Sequence, residues 1–260
     1  MIHIENFTYQ VANFKLQNIE LEIKENEIFA FLGKTGSGKT MLLEAIAGFY
    51  RGNCGAIYIS GKDVVDIVPE ERKIGFVYQD FGLFPHMTVY ENIRYGLKMH
   101  RVEKSKMNLR ISDMAKLLGI EHILKHYPAT LSGGERQRTA LARALVLQPR
   151  ILLMDEPFSA LDPGTRSQMY QLVEQIHKTF ACTILFVTHN LYEAERMAQR
   201  IGIMVNGKLK MVCNTDKLFQ NYEDTEILEF IGGYLNDNGT DVSKIERRLN
   251  ADCTRLQPDK

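Results

Sequence analysis

The sequence predicts an α/β fold built on a parallel sheet with a phosphate-binding loop at its centre. Three observations lead there. Residues 28–32, 151–154 and 183–187 are short, nearly unbroken apolar runs, the pattern of strands buried on both faces. Helical stretches separate these runs, as in sheets joined by crossovers. Directly after the first run, Gly33-Lys34-Thr35-Gly36-Ser37-Gly38-Lys39-Thr40 fits G-x-x-x-x-G-K-[ST] in full.

Residues 1–27 alternate apolar and polar in short pieces, Ile2-His3-Ile4-Glu5 and Ile19-Glu20-Leu21-Glu22-Ile23, and read as half-buried antiparallel strands. Tyr9 is assigned to an early loop, where an aromatic ring is able to stack on a base; taken alone it reads as a packing residue. In the glycine loop, residues without Cβ let the backbone approach a ligand. Successive N–H groups there form a concave anion site. A helix starting near Lys39 adds the positive end of its dipole. Lys39 supplies a full charge within reach of β- and γ-phosphates, and the Thr40 hydroxyl is placed to ligate magnesium. Residues 41–47 are good helix formers, closed by Gly48.

Turn signals surround Ala56-Ile57-Tyr58-Ile59 and predict a β-hairpin with Ser60-Gly61-Lys62-Asp63. Residues 74–78 are another apolar strand, with Gln79 at its end. From about residue 80 to 147 the character is helical, an insertion into the sheet. Phe81-Gly82-Leu83-Phe84-Pro85 is an apolar loop, and Thr88-Val89-Tyr90-Glu91 a capping box that starts a helix at Val89. Residues 101–110 are polar and basic and read as a solvated connection; a second helix covers 111–118 and stops at Gly119. Ser132-Gly133-Gly134-Glu135 opens a helix running to about Leu147.

The strand at 151–154 ends in Asp155-Glu156-Pro157. In parallel sheets ligands bind beyond the carboxyl ends of the strands, so Asp155 is placed for the metal and Glu156 for polarising a water. A helix runs from Pro163 to about Phe180. A strand at 183–187 leads into Thr188-His189, and 191–197 is helical. Strands at 201–205 and 208–212 flank the turn Asn206-Gly207. After about Tyr234 the chain is polar, with a linker at 236–239 and at most one short helix beyond.

Composition narrows the class. The chain has 260 residues, with 32 Lys plus Arg against 32 Asp plus Glu, a balance that argues against a nucleic-acid partner. No apolar run reaches the ~18 residues of a membrane span. Cys54, Cys182, Cys213 and Cys253 are scattered, as reduced thiols in an intracellular protein are.

Ser132-Gly133-Gly134-Glu135 has two readings that agree in geometry: a capping box, and a second anion site whose anion the first loop in the same chain cannot easily share. Taken together, the motifs resemble the nucleotide-binding subunits of ATP-binding cassette (ABC) transporters. Leu131-Ser132-Gly133-Gly134-Glu135-Arg136-Gln137-Arg138 is similar to that family's signature. Tyr9, Gln79, Asp155-Glu156, Ser159-Ala160-Leu161-Asp162 and His189 match its adenine-stacking aromatic, Q-loop, Walker B, D-loop and H-loop in order. The resemblance covers residues 1–233.

The resemblance implies an ABC-type ATPase core with an antiparallel β subdomain and an inserted helical subdomain. It implies ATP and Mg2+ as cofactors, with Thr40, Gln79 and Asp155 at the metal. It further implies Glu156 as base, His189 on the γ-phosphate, and Ser132, Gly133, Gly134 and Glu135 acting in trans across a homodimer, with Asp162 in the dimer's D-loop. Residues 75–93 resemble the importer branch. The wording around them is most similar to archaeal molybdate/tungstate importers, with sulfate, iron and polyamine importers sharing much of it. That places the chain on the cytoplasmic side of the membrane beside permease subunits and, indirectly, a substrate-binding protein.

Glu135 and Asn190 depart from the commoner Gln and Asp of the family. The roughly 27 residues after Gly233 are too few for the regulatory β domain of many relatives. A DNA- or ribosome-directed cassette ATPase is the reading from another class. It lacks its long coiled coil or second cassette here, and a P-loop kinase leaves the signature and His189 unexplained.

Overall fold

The alternating and the continuously apolar strands segregate into two sheets. The computed structural model describes residues 1–218 together with 226, 227 and 230–232. The expected linker and terminal helix after Tyr234 lie outside the described residues. Strands β1 (Ile2–Val11), β2 (Phe14–Ile23), β4 (Cys54–Ile59) and β5 (Lys62–Asp63) form an antiparallel sheet in the order β2-β1-β4-β5. The expected hairpin of β4 with β5 is present, and β4 pairs more extensively with β1.

The second sheet contains β3 (Ile28–Leu32), β6 (Ile74–Val77), β7 (Ile151–Asp155), β8 (Thr183–Thr188), β9 (Arg200–Val205) and β10 (Lys208–Asn214) in the order β10-β9-β3-β8-β7-β6. All its neighbours run parallel except β10, which returns antiparallel to β9. Every residue of β3, β7 and β8 is buried. The reason is a core on each face. Ala30, Leu32, Leu152, Met154 and Phe186 join the core under the helices, whereas Phe29, Phe31, Leu153, Leu185 and Val187 join one shared with the antiparallel sheet. The expected α/β fold is the observed one.

Between the sheets runs α1 (Lys39–Ala47), with Leu42, Leu43, Ala45 and Ile46 fully buried. Helices α2 (Val89–Met99), α3 (Lys104–Leu118) and α4 (Gly133–Leu145) lie in sequence between β6 and β7. Helices α5 (Pro163–Phe180) and α6 (Leu191–Met197) flank β8 in sequence.

Three sequence expectations need correction. Residues 104–110 are helical, not a solvated connection: Met107, Ile111, Met114 and Leu118 repeat at helical spacing and are buried, while the polar residues between them face outward. Helix α4 ends at Leu145, two residues early, because Gln148 already takes φ 53° before Pro149. Tyr9 lies within β1, paired with Leu16 of β2, and not in a loop.

Register does the positioning. Leu32 is level with Thr188, and Asp155 with Val187. The residues that follow β3, β7 and β8 therefore emerge side by side. The far end of α1 is held by Arg72, a buried residue whose Nη1 donates to the carbonyls of Ala45 at 3.0 Å and Ile46 at 2.8 Å, while Nε donates to Ile67 O at 2.8 Å. A cation there also suits the negative end of the helix dipole. Arg72→Leu is expected to destabilise the protein by about 2 kcal/mol, since hydrogen bonds from a charged donor are lost and the carbonyls left buried; urea unfolding measures it.

Candidate active site

The loop after β3 cannot carry side chains at its close approaches. A Cβ on Gly33 would lie 2.5 Å from the carbonyl oxygen of Met204, and Gly38, at φ 100°, has the Phe14 ring 2.9 Å from its Cβ position. Loop and hairpin are tied together. The Gly207 N–H donates to Ser37 O at 3.0 Å, and Gly207 O accepts from the Gln17 N–H at 2.9 Å. Lys39, the first residue of α1, turns its Nζ back to donate to Gly33 O at 2.7 Å and Lys34 O at 3.0 Å. Burial lowers its pKa, and the nearby Glu156 and Asp155 carboxylates oppose that shift.

Thr40 follows on the same turn and its Oγ1 donates to Asp155 Oδ1 at 2.9 Å. Asp155 is 6% exposed. Burial raises its pKa; the Thr40 hydrogen bond and Lys39 pull the other way, and Glu156 and Glu44 add to the rise. Glu156 takes φ 41°, a left-handed backbone that is rare for a side chain of its size. Its N–H donates to Val187 O at 3.1 Å, and its carbonyl accepts from the Ser159 N–H at 3.2 Å and the Ser159 hydroxyl at 2.9 Å. The result turns the carboxylate toward the end of β8, where Oε2 lies 3.1 Å from His189 Nδ1.

Lys39, Thr40, Glu156 and His189 border a cavity of about 440 Å³ walled also by the glycine loop and Gln79, and Asp155 is joined to that wall through its hydrogen bond with Thr40. The carbonyl of Gln79, the Thr40 hydroxyl and the Asp155 carboxylate are hard oxygen donors. Among the described residues no three His, Cys, Asp or Glu side chains cluster as a protein-only metal cage. That donor set suits a magnesium ion that keeps water and phosphate oxygens as its remaining ligands. A larger cleft of about 720 Å³ around Met1, His3, Tyr58 and Arg150 lies away from the loop and has no comparable anion cradle.

Tyr9 does not border the nucleotide-sized cavity; its ring stacks on Tyr50 with centroids 4.9 Å apart and planes at 21°. The aromatic residue in the wall is Phe14, at the start of β2, and Glu44 is a further acid there. Sequence reasoning missed both. Glu44 stands one turn beyond Thr40 on the same helix, which was the available signal.

Ser132, Gly133, Gly134 and Glu135 do not join this cavity within one chain. They open α4 as a capping box: Ser132 Oγ and N–H donate to Glu135 Oε2 at 2.7 and 2.8 Å, and the Glu135 N–H donates to Ser132 Oγ at 3.3 Å. Those bonds hold the Glu135 carboxyl below its ordinary pKa. Asp162 caps α5, accepting from the N–H groups of Gly164 and Thr165 at 3.1 Å each.

A glycine loop facing two acids and a histidine at the ends of parallel strands defines a nucleotide-hydrolysing phosphate-loop protein. Residues 16–159 match the ABC transporter family, and the chain belongs to that family as an ATP-hydrolysing subunit. It is 42% identical over 232 residues to a molybdate/tungstate import ATP-binding protein, WtpC, of Pyrococcus abyssi, spanning 89% of this chain and 67% of that protein. It is 38% identical over 232 residues to a probable sulfate/thiosulfate import ATP-binding protein, CysA, of Chlorella vulgaris, spanning 89% of this chain and 98% of that one. Among solved structures, it resembles the ATP-binding cassette MJ0796 in a dimeric post-hydrolysis state with ADP and Pi. That likeness has a TM-score of 0.74 and 31% identity, covering 83% of this chain and 99% of the other.

The charges in this site cost stability. Because the folded-state pKa of Asp155 is raised, the native protein holds that proton more tightly than the unfolded chain. Its contribution to stability therefore falls as pH rises from the ordinary value of 3.8 through the raised one. Asp155→Asn keeps an acceptor for Thr40 and removes the charge. At pH 7 without nucleotide this variant is expected to melt at a higher temperature than the wild type while losing ATP hydrolysis, as calorimetry and a phosphate-release assay would read.

Proposed function

We propose that the chain is the energy-coupling ATPase of an importer for a tetrahedral oxyanion, with molybdate or tungstate as cargo. The observation that carries the catalytic part is the Glu156–His189 pair, 3.1 Å apart across the cavity from the phosphate loop. Lys39 and the loop N–H groups bind the phosphates. Glu156 takes a proton from the attacking water, and His189 holds the γ-phosphate in line. Gln79 orients the same water and, with Thr40 and Asp155, would hold Mg2+, whose charge offsets that developing on the phosphates. Phe14, bordering the cavity beside Gly38, is the aromatic residue placed to stack on the base, in place of Tyr9.

The capping box at Ser132 leaves the N–H groups of Gly133 and Gly134 at a positive helix end, outside the cavity of their own chain. Two copies arranged head to tail bring them onto the partner's γ-phosphate, with Asp162 at the seam. The dimeric state of the related cassette MJ0796 supports this arrangement. No helix among the described residues is long and apolar enough to cross a membrane. The printed names of the relatives, import ATP-binding proteins, support permease subunits as partners. The ATPase docks on these from the cytoplasmic side, with a substrate-binding protein on the other side delivering the anion.

The molybdate/tungstate assignment rests on the names of relatives such as that of Pyrococcus abyssi, and the Chlorella vulgaris relative favours sulfate as the second reading. The two anions share charge and tetrahedral shape. ATPase activity of the complex reconstituted with its permease and binding protein decides: stimulation by molybdate or tungstate and not by sulfate is expected, and the reverse replaces the first reading with the second.

Glu156→Gln is expected to bind ATP with Mg2+ as the wild type does, to lower turnover by at least about a hundredfold, and to elute as an ATP-bound dimer in size-exclusion chromatography. Hydrolysis at the wild-type rate would place the base elsewhere.

A further inference from the structure

A buried acid lies behind the histidine and takes no part in the steps above. Glu193, on α6, is 3% exposed. Its Oε2 accepts a 2.5 Å hydrogen bond from the hydroxyl of Thr188, itself 1% exposed and the residue before His189. The same hydroxyl accepts from the Asn190 N–H at 2.9 Å, and Asn190 Oδ1 caps α6 through the N–H groups of Tyr192 and Glu193 at 2.9 and 3.4 Å. The backbone on both sides of His189 is thereby clamped to one carboxylate.

On the other side stands Arg166, near the start of α5. Its Nη2 donates to Leu161 O at 2.9 Å, within the loop at residues 159–162, and its charge acts on the Glu193 carboxyl. Burial raises the pKa of that carboxyl, while the Thr188 hydrogen bond, Arg166 and His189 draw it down.

We propose that Glu193 is a positioning residue for hydrolysis, acting on the strand end that carries His189. Glu193 sets the placement of His189 through the Thr188 hydroxyl, which binds the carboxylate on one side and the Asn190 N–H on the other. The proposal rests on the reading of Glu156 and His189 as the hydrolytic pair.

The test measures kcat, KM, ATP affinity and melting temperature for two variants, with His189→Ala in parallel. Glu193→Ala is expected to lower kcat by about tenfold or more with ATP affinity unchanged, since a misplaced group costs rate and not ground-state binding. Glu193→Gln keeps an acceptor for Thr188 and should recover part of that loss. Wild-type kcat in Glu193→Ala overturns the proposal. A kcat loss in Glu193→Ala matched by lost ATP affinity marks a merely structural role and also overturns it. Should Glu193→Ala not fold, Glu193→Gln decides alone: a kcat below wild type at unchanged ATP affinity supports the proposal, and wild-type kcat overturns it. Normal hydrolysis in His189→Ala removes the underlying reading of the site; lost hydrolysis there with intact kcat in the Glu193 variants removes this inference only.

Discussion

The level carboxyl ends of β3, β7 and β8 are the constraint on which the site depends. The pairs Leu32–Thr188 and Asp155–Val187 set the phosphate loop, the acids and His189 in one row. The three strand ends lie far apart in the sequence, so only sheet register brings them together. A one-residue slip of β7 would turn Asp155 away from Thr40. Burial on both faces of the sheet guards against that slip, because it would carry Leu153 and Met154 into the wrong cores.

The same row concentrates unfavourable features. Asp155 and Lys39 are charged groups taken out of water, and Glu156 holds a left-handed backbone. Each is tolerable only because neighbours fix it: Thr40 and Lys39 for Asp155, the loop carbonyls for Lys39, Val187 and Ser159 for Glu156. A fold that sets charges before the ligand arrives spends no binding energy on arranging them.

Much of this was legible in the sequence because punctuation and periodicity agreed. The glycine loop lay between an apolar run and a helix, and Pro163, Gly48, Gly119 and the two capping boxes marked helix ends at or near their observed places. Legibility failed where a weak local signal met a tertiary one. The basic surface of residues 104–110 hid Met107, a buried contact visible only in register with Ile111 and Met114. The aromatic wall was misassigned because Tyr9 and Phe14 stand on neighbouring strands, and which ring meets the loop depends on how the β1–β2 turn sits over Gly38, a long-range fact. Glu193 carried no signal at all, since a lone Glu on a short helix reads as solvated until its partner Thr188 is in view.

The turn Asn206-Gly207 has the widest reach of the small features. Through Gly207 it grips the phosphate loop on one side and β2 of the other sheet on the opposite side. The loop is thus a keystone fastened to both sheets. Displacing it would break bonds to the parallel sheet's hairpin and strip that hairpin's hold on β2 at the same time. The anion cradle and the joint between the two sheets are therefore one piece of structure, and a change at this single turn would be felt by both.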